Sequence, residues 1–283
     1  MADPSISVII VTHNSEQYLP SCAHHLATAL GNTDNEVIVV DNASDRAPSE
    51  EDLVPLEHVV ILRNETNRGF ATGANQGVTR GTKDTILFLN PDVLLDDKAV
   101  YTLYGATVDH PKAGAVGARL RYPDGSFQAT CRRLPTPGNI LFSRGSMLGR
   151  LLGQTRVYTL PDVAVTTEVP AVAGTVLMLR RLAFEQVRGF DERFFMYMED
   201  TDLCARLQQA GYVNLFVPDA GGVHHWGRGS TAGALRRNWY HHRSVLQYFL
   251  KHYPNGFTVV LLPFLLAVNF VVRALVELVK ANE

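Results

Sequence analysis

The stretch Ile6-Ser7-Val8-Ile9-Ile10-Val11-Thr12-His13-Asn14 decides the fold. It is rich in β-branched residues, has the length of one strand, and stops abruptly on three polar residues. Runs of the same kind recur at Glu36 to Val40, Val59 to Leu62 and Thr85 to Leu89. Segments with helical periodicity, Glu16 to Leu30 and Ala71 to Arg80, lie between them. Strands alternating with helices predict an α/β fold with a mainly parallel sheet flanked by helices. Ligands of such sheets bind beyond the carboxyl ends of the strands. The polar residues closing these runs, Thr12, Asp41, Asn64 and Asn90, are therefore expected in one crevice.

With 283 residues the chain has room for one large α/β domain, alone or with a small appendage. A formal net charge of -2 argues against generic nucleic-acid binding, which leaves a basic footprint. The cysteines Cys22, Cys131 and Cys204 form no CxxC pair for zinc or redox exchange, so they read as buried thiols of a reducing compartment. Neither the short run at Ile6 to Val11 nor the Met-Ala-Asp-Pro start has the character of a secretory signal, which implies a cytoplasmic location.

Beyond Asp97 the pattern changes to a helix, irregular strands and a Pro/Gly-rich stretch from Leu134 to Gly153 that reads as a loop or insertion. Val169 to Leu179 is expected as one long buried strand and Thr201 to Ala210 as a helix. The segment Phe257 to Val279 is different, because residues 257 to 272 carry no charge. As a helix it would extend roughly 34 Å, kinked in its first half by Pro263. Asn269, Arg273, Glu277 and Lys280 would form one narrow polar stripe along it. The basic and aromatic stretch Arg236-Arg237-Asn238-Trp239-Tyr240-His241-His242-Arg243 precedes it. Packing on the domain, or on a second copy in a homodimer, would cover such a helix. The flanking residues favour an anionic membrane surface. The chain accordingly divides into residues 1–232 and a basic, aromatic and apolar helical region, 233–283.

Clusters of chemically capable residues punctuate the first unit. Val40-Asp41-Asn42-Ala43-Ser44 brings a carboxylate out of a buried strand, where it can accept hydrogen bonds from a base N–H or a ribose hydroxyl; turns also favour Asp and Asn. Asn67-Arg68-Gly69-Phe70, followed by Asn75, combines a glycine that admits close ligand approach with a cation suited to a diphosphate. Asn90-Pro91-Asp92 ends a strand, and Asp92 suits a hard divalent cation. In Phe194-Phe195-Met196-Tyr197-Met198-Glu199-Asp200-Thr201-Asp202, three acids follow an aromatic run. A carboxylate partly withdrawn from water there can act as a general base. His224-His225 adds imidazoles, common metal ligands.

In this order, and with Ser230 after the histidines, these motifs resemble the family 2 glycosyltransferases of GT-A fold over roughly residues 5 to 230. The Asn-Pro-Asp triplet and the Phe-Phe-Met-Tyr-Met-Glu-Asp-Thr-Asp stretch resemble the rhamnosyltransferase branch in particular. The resemblance implies an inverting, metal-dependent transfer of L-rhamnose from dTDP-rhamnose to an acceptor hydroxyl during cell-surface glycan assembly. It implies Mn²⁺ or Mg²⁺ as cofactor, a lipid-linked glycan as acceptor, and a peripheral place on the inner face of the cell membrane. Asp41 would contact the base, and Thr12, Asn14, Asn67, Arg68, Gly69, Asn75, Asn90 and Asp92 would complete the donor site. Asp92 would hold the metal with His225, whose five-residue spacing from Ser230 fits better than that of His224. The family often has Asp where this chain has Asn90. Asp200 would be the base, and Gly174, Glu199 and Asp202 would support it or the acceptor. A UDP-hexose-dependent transferase and a catalytically silent sugar-nucleotide-binding or scaffold protein are the alternatives. A dinucleotide-dependent dehydrogenase is disfavoured, since Thr12-His13-Asn14-Ser15 stands where a GxGxxG would follow the first strand.

Overall fold

The computed structural model of the protein describes residues 4–137, 139, 159–225 and 233–281. Strands β1 (Ser5–Thr12), β2 (Asp34–Asp41), β3 (Val59–Arg63) and β4 (Thr85–Leu89) form a parallel ladder in the order β3-β2-β1-β4. Helices α1 (Leu19–Leu30) and α2 (Phe70–Arg80) lie between β1 and β2 and between β3 and β4 in sequence. Both faces of this ladder are covered, which is why its strands are nearly continuous apolar runs. Ile6, Val8 and Ile10 of β1, with Val37 and Val39 of β2, pack with Leu19, Cys22 and Leu26 of α1. Ile9, Ile38, Val40 and Phe88 face the other way, toward Ala71, Ala74 and Val78 of α2.

The expected helix from Glu16 divides in two, a 3₁₀ turn at Glu16–Tyr18 and then α1, with Pro20 in the first helical turn, where its missing N–H goes unneeded. Past β4 come β5 (Val93–Leu95), α3 (Ala99–Asp109), β6 (Ala113–Arg121), β7 (Phe127–Gln128), β8 (Cys131–Arg132), β9 (Thr167–Val169), β10 (Ala171–Val172) and β11 (Val176–Arg180). Then follow α4 (Arg181–Gln186), α5 (Glu199–Gln209), β12 (Val213–His224), α6 (Ala234–His252) and α7 (Leu262–Ala281). The sheet continues from β4 through β11, β6 and β12 to β5, and β11 runs antiparallel to both its neighbours. The sheet is therefore parallel in its first half and mixed in its second.

One long strand from Val169 to Leu179 does not form. Three short ones replace it, since Pro170 offers no ladder donor and the Gly174 N–H is given to Asp200 instead of to a strand. The cysteines are all free and buried, and burial pushes each thiol up to about 12. Residues 226–232, where the expected division after residue 232 falls, lie outside the described residues. So do 138 and 140–158 of the Pro/Gly-rich stretch, and the side chains of Arg273, Glu277 and Lys280 in the expected polar stripe.

The C-terminal helices are fastened to the sheet domain. Phe194 and Met198 pack with Val245, Tyr248 and Phe249 of α6 and Leu262 of α7. Asp202 of α5, fully buried, accepts from Arg206 at 2.8 Å, Lys251 at 2.7 Å and His252 at 2.8 Å. Burial by itself would raise the Asp202 pKa, but the His252 hydrogen bond and the charges of Arg206 and Lys251 hold it below the ordinary value. Lys251 also meets Asp191 at 2.7 Å; there the Arg193 hydrogen bond, the largest influence, holds the carboxyl well down. Phe257–Leu261 forms a π-helical turn ahead of α7. Pro263 has no N–H for the carbonyl of Val259, so the regular ladder starts late.

Substituting Asp202→Asn should destabilise the protein by about 3 kcal/mol, because buried cations lose their counter-charge. The pKa values of Asp202 and Asp191 are lower folded than unfolded, so their stabilisation is present above the ordinary carboxylate range and lost as pH falls below about 4. Urea unfolding of wild type and Asp202→Asn should therefore differ at pH 7, and the difference should shrink as pH falls below about 4.

Candidate active site

Parallel pairing sets Thr12, the last residue of β1, beside Asp41, the last of β2, and sets Asp41 beside Arg63 at the end of β3. The Asp41 side chain is fully buried. Its Oδ1 accepts from the Ser44 N–H at 3.0 Å, while Oδ2 lies 3.6 Å from Arg63 Nε without a hydrogen bond. Thr12 Oγ1 and His13 Nδ1 are likewise sealed from water and have no hydrogen-bond partner among the described residues. Each such atom costs about 1–3 kcal/mol in the free protein. The ends of β1 and β2 thus carry three polar side-chain atoms without a hydrogen-bond partner among the described residues.

The rest of the predicted donor set holds the loops around that cradle. Asn14, at a left-handed φ of 52°, gives its N–H to Ser44 Oγ, and its Oδ1 accepts from the Asp45 N–H, which joins the two strand-end turns. Asn67 Oδ1 accepts from the Gly69 N–H at 2.9 Å, and Asn42 donates to the Gly69 carbonyl at 3.0 Å. Gly69 has φ +83°, and a Cβ there would run into the backbone of Phe195, so only glycine brings α2 this close to the aromatic run. Arg68 is exposed beside it. Asn75 has its amide committed to the backbone of Phe190 and to Glu192, a bracing contact between α2 and the 190s segment.

Asn90 follows β4, next to β1 in the sheet, so it shares the edge with Thr12. Its N–H donates to the Thr175 carbonyl at 2.9 Å. Asp92 is buried, and the ring that faces it belongs to His224, with Nε2 3.3 Å from Oδ1. His225, favoured by spacing to Ser230, contributes its backbone N–H to the Asp92 carbonyl instead, and Ser230 lies outside the described residues. His224 ends β12 opposite Val93, and side chains alternate along a strand, so only one of the two consecutive histidines can turn to Asp92. An octahedral divalent ion with bonds of about 2.1 Å sets adjacent donors about 3 Å apart, so the Asp92–His224 spacing and its oxygen-plus-imidazole chemistry fit such an ion. Among the described residues no cluster of three or more acidic, His or Cys side chains surrounds this pair, so further donors would have to come from diphosphate and water.

Asp200 is buried in the first turn of α5. Oδ2 accepts from Arg132 at 2.8 Å and from the Gly174 N–H at 3.0 Å, and Oδ1 accepts from the N–H and hydroxyl of Thr201. Gly174 and Thr175 thereby link Asp200 to Asn90, which brings the acidic helix and the Asn-Pro-Asp turn together. Glu199, next to it, differs: its Oε2 is sealed and unpartnered among the described residues. Burial, then the charge of Asp200, pushes Glu199 up to about 8. Tyr197 and Met198, just before it, both have left-handed φ, 70° and 69°. Such backbone costs about 1–3 kcal/mol per residue and concentrates at functional sites. Asp202, predicted as support, serves α6 instead of the cleft.

Sequence reading passed over Arg132, Gln128 and Arg63. Gln128 Oε1 lies 2.9 Å from His224 Nδ1 and fixes that ring. Arg63 was visible as a charge closing the third strand run. Arg132 and Gln128 sit on short irregular strands with no periodic signal, and only the tertiary fold brings them to the site.

The family model for glycosyl transferase family 2 matches residues 7–188, and that for glycosyl transferase family group 2 matches residues 156–278. An N-acetylglucosaminyl-diphospho-decaprenol L-rhamnosyltransferase of Mycobacterium tuberculosis is 30% identical over 259 residues, covering 85% of this chain and 82% of its own. A rhamnosyltransferase of Escherichia coli, WbbL, is 27% identical over 87% of this chain and 93% of its own. Among solved structures, the mannosyltransferase PcManGT of Pyrobaculum calidifontis, in complex with GDP-Man and Mn²⁺, aligns with a TM-score of 0.58 over 98% of this chain and 76% of its own, at 17% identity. GalNAc-T7 with UDP, GalNAc and Mn²⁺ aligns with a TM-score of 0.61 over 88% of this chain and 48% of its own, at 14% identity. At these identities the likeness is one of fold, the GT-A architecture.

Replacing Asp92 or His224 by Ala should weaken Mn²⁺-dependent binding of a nucleotide sugar roughly tenfold or more, as loss of a ligand or its orienting partner does. His225→Ala should have a smaller effect. Calorimetry with and without Mn²⁺ measures this; equal losses for both histidines would contradict the geometry.

Proposed function

Because the chain belongs to glycosyl transferase family 2, we propose that it is an inverting, metal-dependent rhamnosyltransferase that moves L-rhamnose from dTDP-rhamnose to a hydroxyl of a lipid-linked glycan in cell-surface glycan assembly. The observation that carries the nucleotide-sugar reading is the convergence of Thr12, His13 and Asp41 at the ends of β1 and β2, where Thr12 Oγ1, His13 Nδ1 and Asp41 Oδ2 have no hydrogen-bond partner among the described residues. A base and ribose bound there offset a cost the free protein bears. The choice of rhamnose, and of a diphosphate-linked prenyl acceptor bearing N-acetylglucosamine, rests on the rhamnosyltransferase relatives.

In this mechanism Asp200 takes the proton of the acceptor hydroxyl, whose oxygen attacks the anomeric carbon from the face opposite the nucleotide. The four donors around Asp200 fill the roughly four acceptor positions of a carboxylate. One of these donors must therefore yield to the acceptor. The exposed guanidinium of Arg68 is suited to the departing diphosphate. Asp92 and His224 would hold the divalent ion, which supplies positive charge against the leaving group when bound.

Asp200→Asn should keep nucleotide-sugar binding while lowering kcat about 10²–10⁴-fold, the usual contribution of a general base. Thermal melting with a panel of nucleotide sugars plus Mn²⁺ supplies the binding half of the experiment. dTDP-rhamnose should raise Tm most. Greater stabilisation by a UDP-hexose would reassign the donor, and none by any nucleotide sugar would defeat the reading.

The C-terminal helices fit a membrane surface. Val259, Val260 and Phe264 are 58%, 73% and 64% exposed, and Trp239 of α6, 53% exposed, stacks edge-on to Phe270 of α7. Exposed apolar surface of this kind, beside the basic Arg236 and Arg243, suits an anionic lipid interface. Among the described residues no helix is long and apolar enough to cross a bilayer. The full-length chain should float with anionic liposomes at low salt, whereas a chain ending before Phe257 should not. Flotation of neither, with dimer formation by the longer one, would make this face a subunit contact.

A further inference from the structure

We propose that Gln128 is a positioning residue for the Asp92–His224 pair. It holds the His224 ring in the tautomer whose proton sits on Nδ1, so that Nε2 turns a lone pair toward Asp92. This rests on the metal-dependent reading above. A neutral imidazole has one N–H and one lone pair, and the partner of one nitrogen decides the character of the other. Gln128 Oε1 lies 2.9 Å from His224 Nδ1, and a carbonyl oxygen only accepts, so the proton is on Nδ1. Nε2 is then an acceptor, and it stands 3.3 Å from Asp92 Oδ1. Two acceptors at that distance repel unless positive charge lies between them, supplied by a second ring proton or by a cation. An oxygen and an imidazole nitrogen so placed suit a divalent cation. The opposite orientation of the amide would make a different site. Gln128 Nε2 would donate to Nδ1, the ring proton would move to Nε2, and His224 would close on Asp92 with no lone pair left for a cation. The tautomer therefore separates a cation site from a structural His–Asp contact.

The fold fixes Gln128 at this spot. A tight turn joins β6 to β7: the Tyr122 N–H donates to the Ser126 carbonyl, the Gly125 N–H donates to the Tyr122 carbonyl, and Gly125 takes φ +83°. Asp124 Oδ1 accepts from both the N–H and the hydroxyl of Ser126, which braces the turn. The pairing that follows sets Gln128 opposite Leu120 of β6, and Leu120 lies beside Gly222 of β12. Gly222 and His224 share one face of β12, so the register carries Gln128 to a ring 96 positions away. Gln128 and His224 are only 6% and 4% exposed, too little for water to replace the amide as the orienting acceptor.

The test uses the full-length protein and two variants. Gln128→Met keeps the length of the side chain without a strong acceptor, and Gln128→Glu keeps an acceptor at the same reach. Binding of Mn²⁺ in the presence of dTDP or UDP is followed by loss of the free-ion electron paramagnetic resonance signal. Gln128→Met should weaken Mn²⁺ binding roughly 10–100-fold, the usual effect of losing an orienting partner, and Gln128→Glu should restore it to near the wild-type value. Nucleotide affinity without metal should be the same in all three proteins. Unchanged Mn²⁺ affinity in Gln128→Met, or an equal loss in Gln128→Glu, would overturn the inference. Nitrogen-15 NMR of the wild-type His224 ring, assigned by its absence in His224→Ala, reads the tautomer without any change at Gln128. A protonated Nδ1 is expected with and without Mg²⁺. A bare Nδ1 with the proton on Nε2 would overturn the inference even if neither Gln128 variant folds. Wild-type protein that binds no Mn²⁺ with either nucleotide would defeat the metal reading as well, whereas normal wild-type binding that Gln128→Met leaves untouched defeats this inference alone.

Discussion

The buried carboxylate of Asp200 pins together three parts of the chain that are far apart in sequence. Arg132 reaches it from a short strand, Gly174 from the break between β10 and β11, and Thr201 from its own helix. A carboxylate taken from water is costly unless its oxygens are filled, and here they are. Two residues further, on another face of the helix, Asp202 repeats the arrangement with Arg206, Lys251 and His252 and fastens the C-terminal helices to the same element. The first turn of α5 thus sets the position of the proposed base and of the C-terminal helices.

The opposite side of the cleft is built on the reverse principle. Around the ends of β1 and β2, Thr12, His13 and Asp41 each keep a sealed polar atom without a hydrogen bond among the described residues, that of Asp41 lying 3.6 Å from Arg63. Unmet hydrogen-bonding capacity of this kind costs the free protein stability. The loops bearing these atoms are nevertheless stiff, because Asn14, Asn42 and Asn67 spend their side chains on neighbouring backbone. Braced strand-end loops facing a buried, hydrogen-bonded Asp200 suit the proposed enzyme, which must orient a nucleotide sugar before chemistry begins.

The aromatic run joins the two sides. Phe195 lies against Gly69 at the start of α2, and its carbonyl accepts from the Phe70 N–H. Its ring stacks with Tyr240 of α6 at 4.5 Å, and Ser244 donates to the Met196 carbonyl. The loop at Gly69, the aromatic run that leads into α5, and the C-terminal helices therefore meet in one segment, so that seating those helices on a surface would also set the direction of the cleft.

Local order was legible without coordinates because it follows from short-range physics. Alternating β-branched runs bury both faces of a parallel sheet, so β1 to β4 and their polar closing residues could be read directly, Thr85–Leu89 to the residue. Motif order was likewise enough to recognise the family. Three features needed the tertiary structure. Arg132 and Asp200 are 68 positions apart, and no pattern along the chain couples them. The choice of His224 over His225 turns on one step of strand alternation, fixed by pairing with β5. The break in Val169 to Leu179 arises because Asp200 takes an N–H that the sheet would otherwise have used. The sequence by itself determined which residues form the strands and which chemical groups stand at their ends, since periodicity and side-chain chemistry are properties of neighbours. Only the tertiary structure decided which of those groups touch, because partners in a hydrogen bond are chosen by position in space to within a few tenths of an ångström.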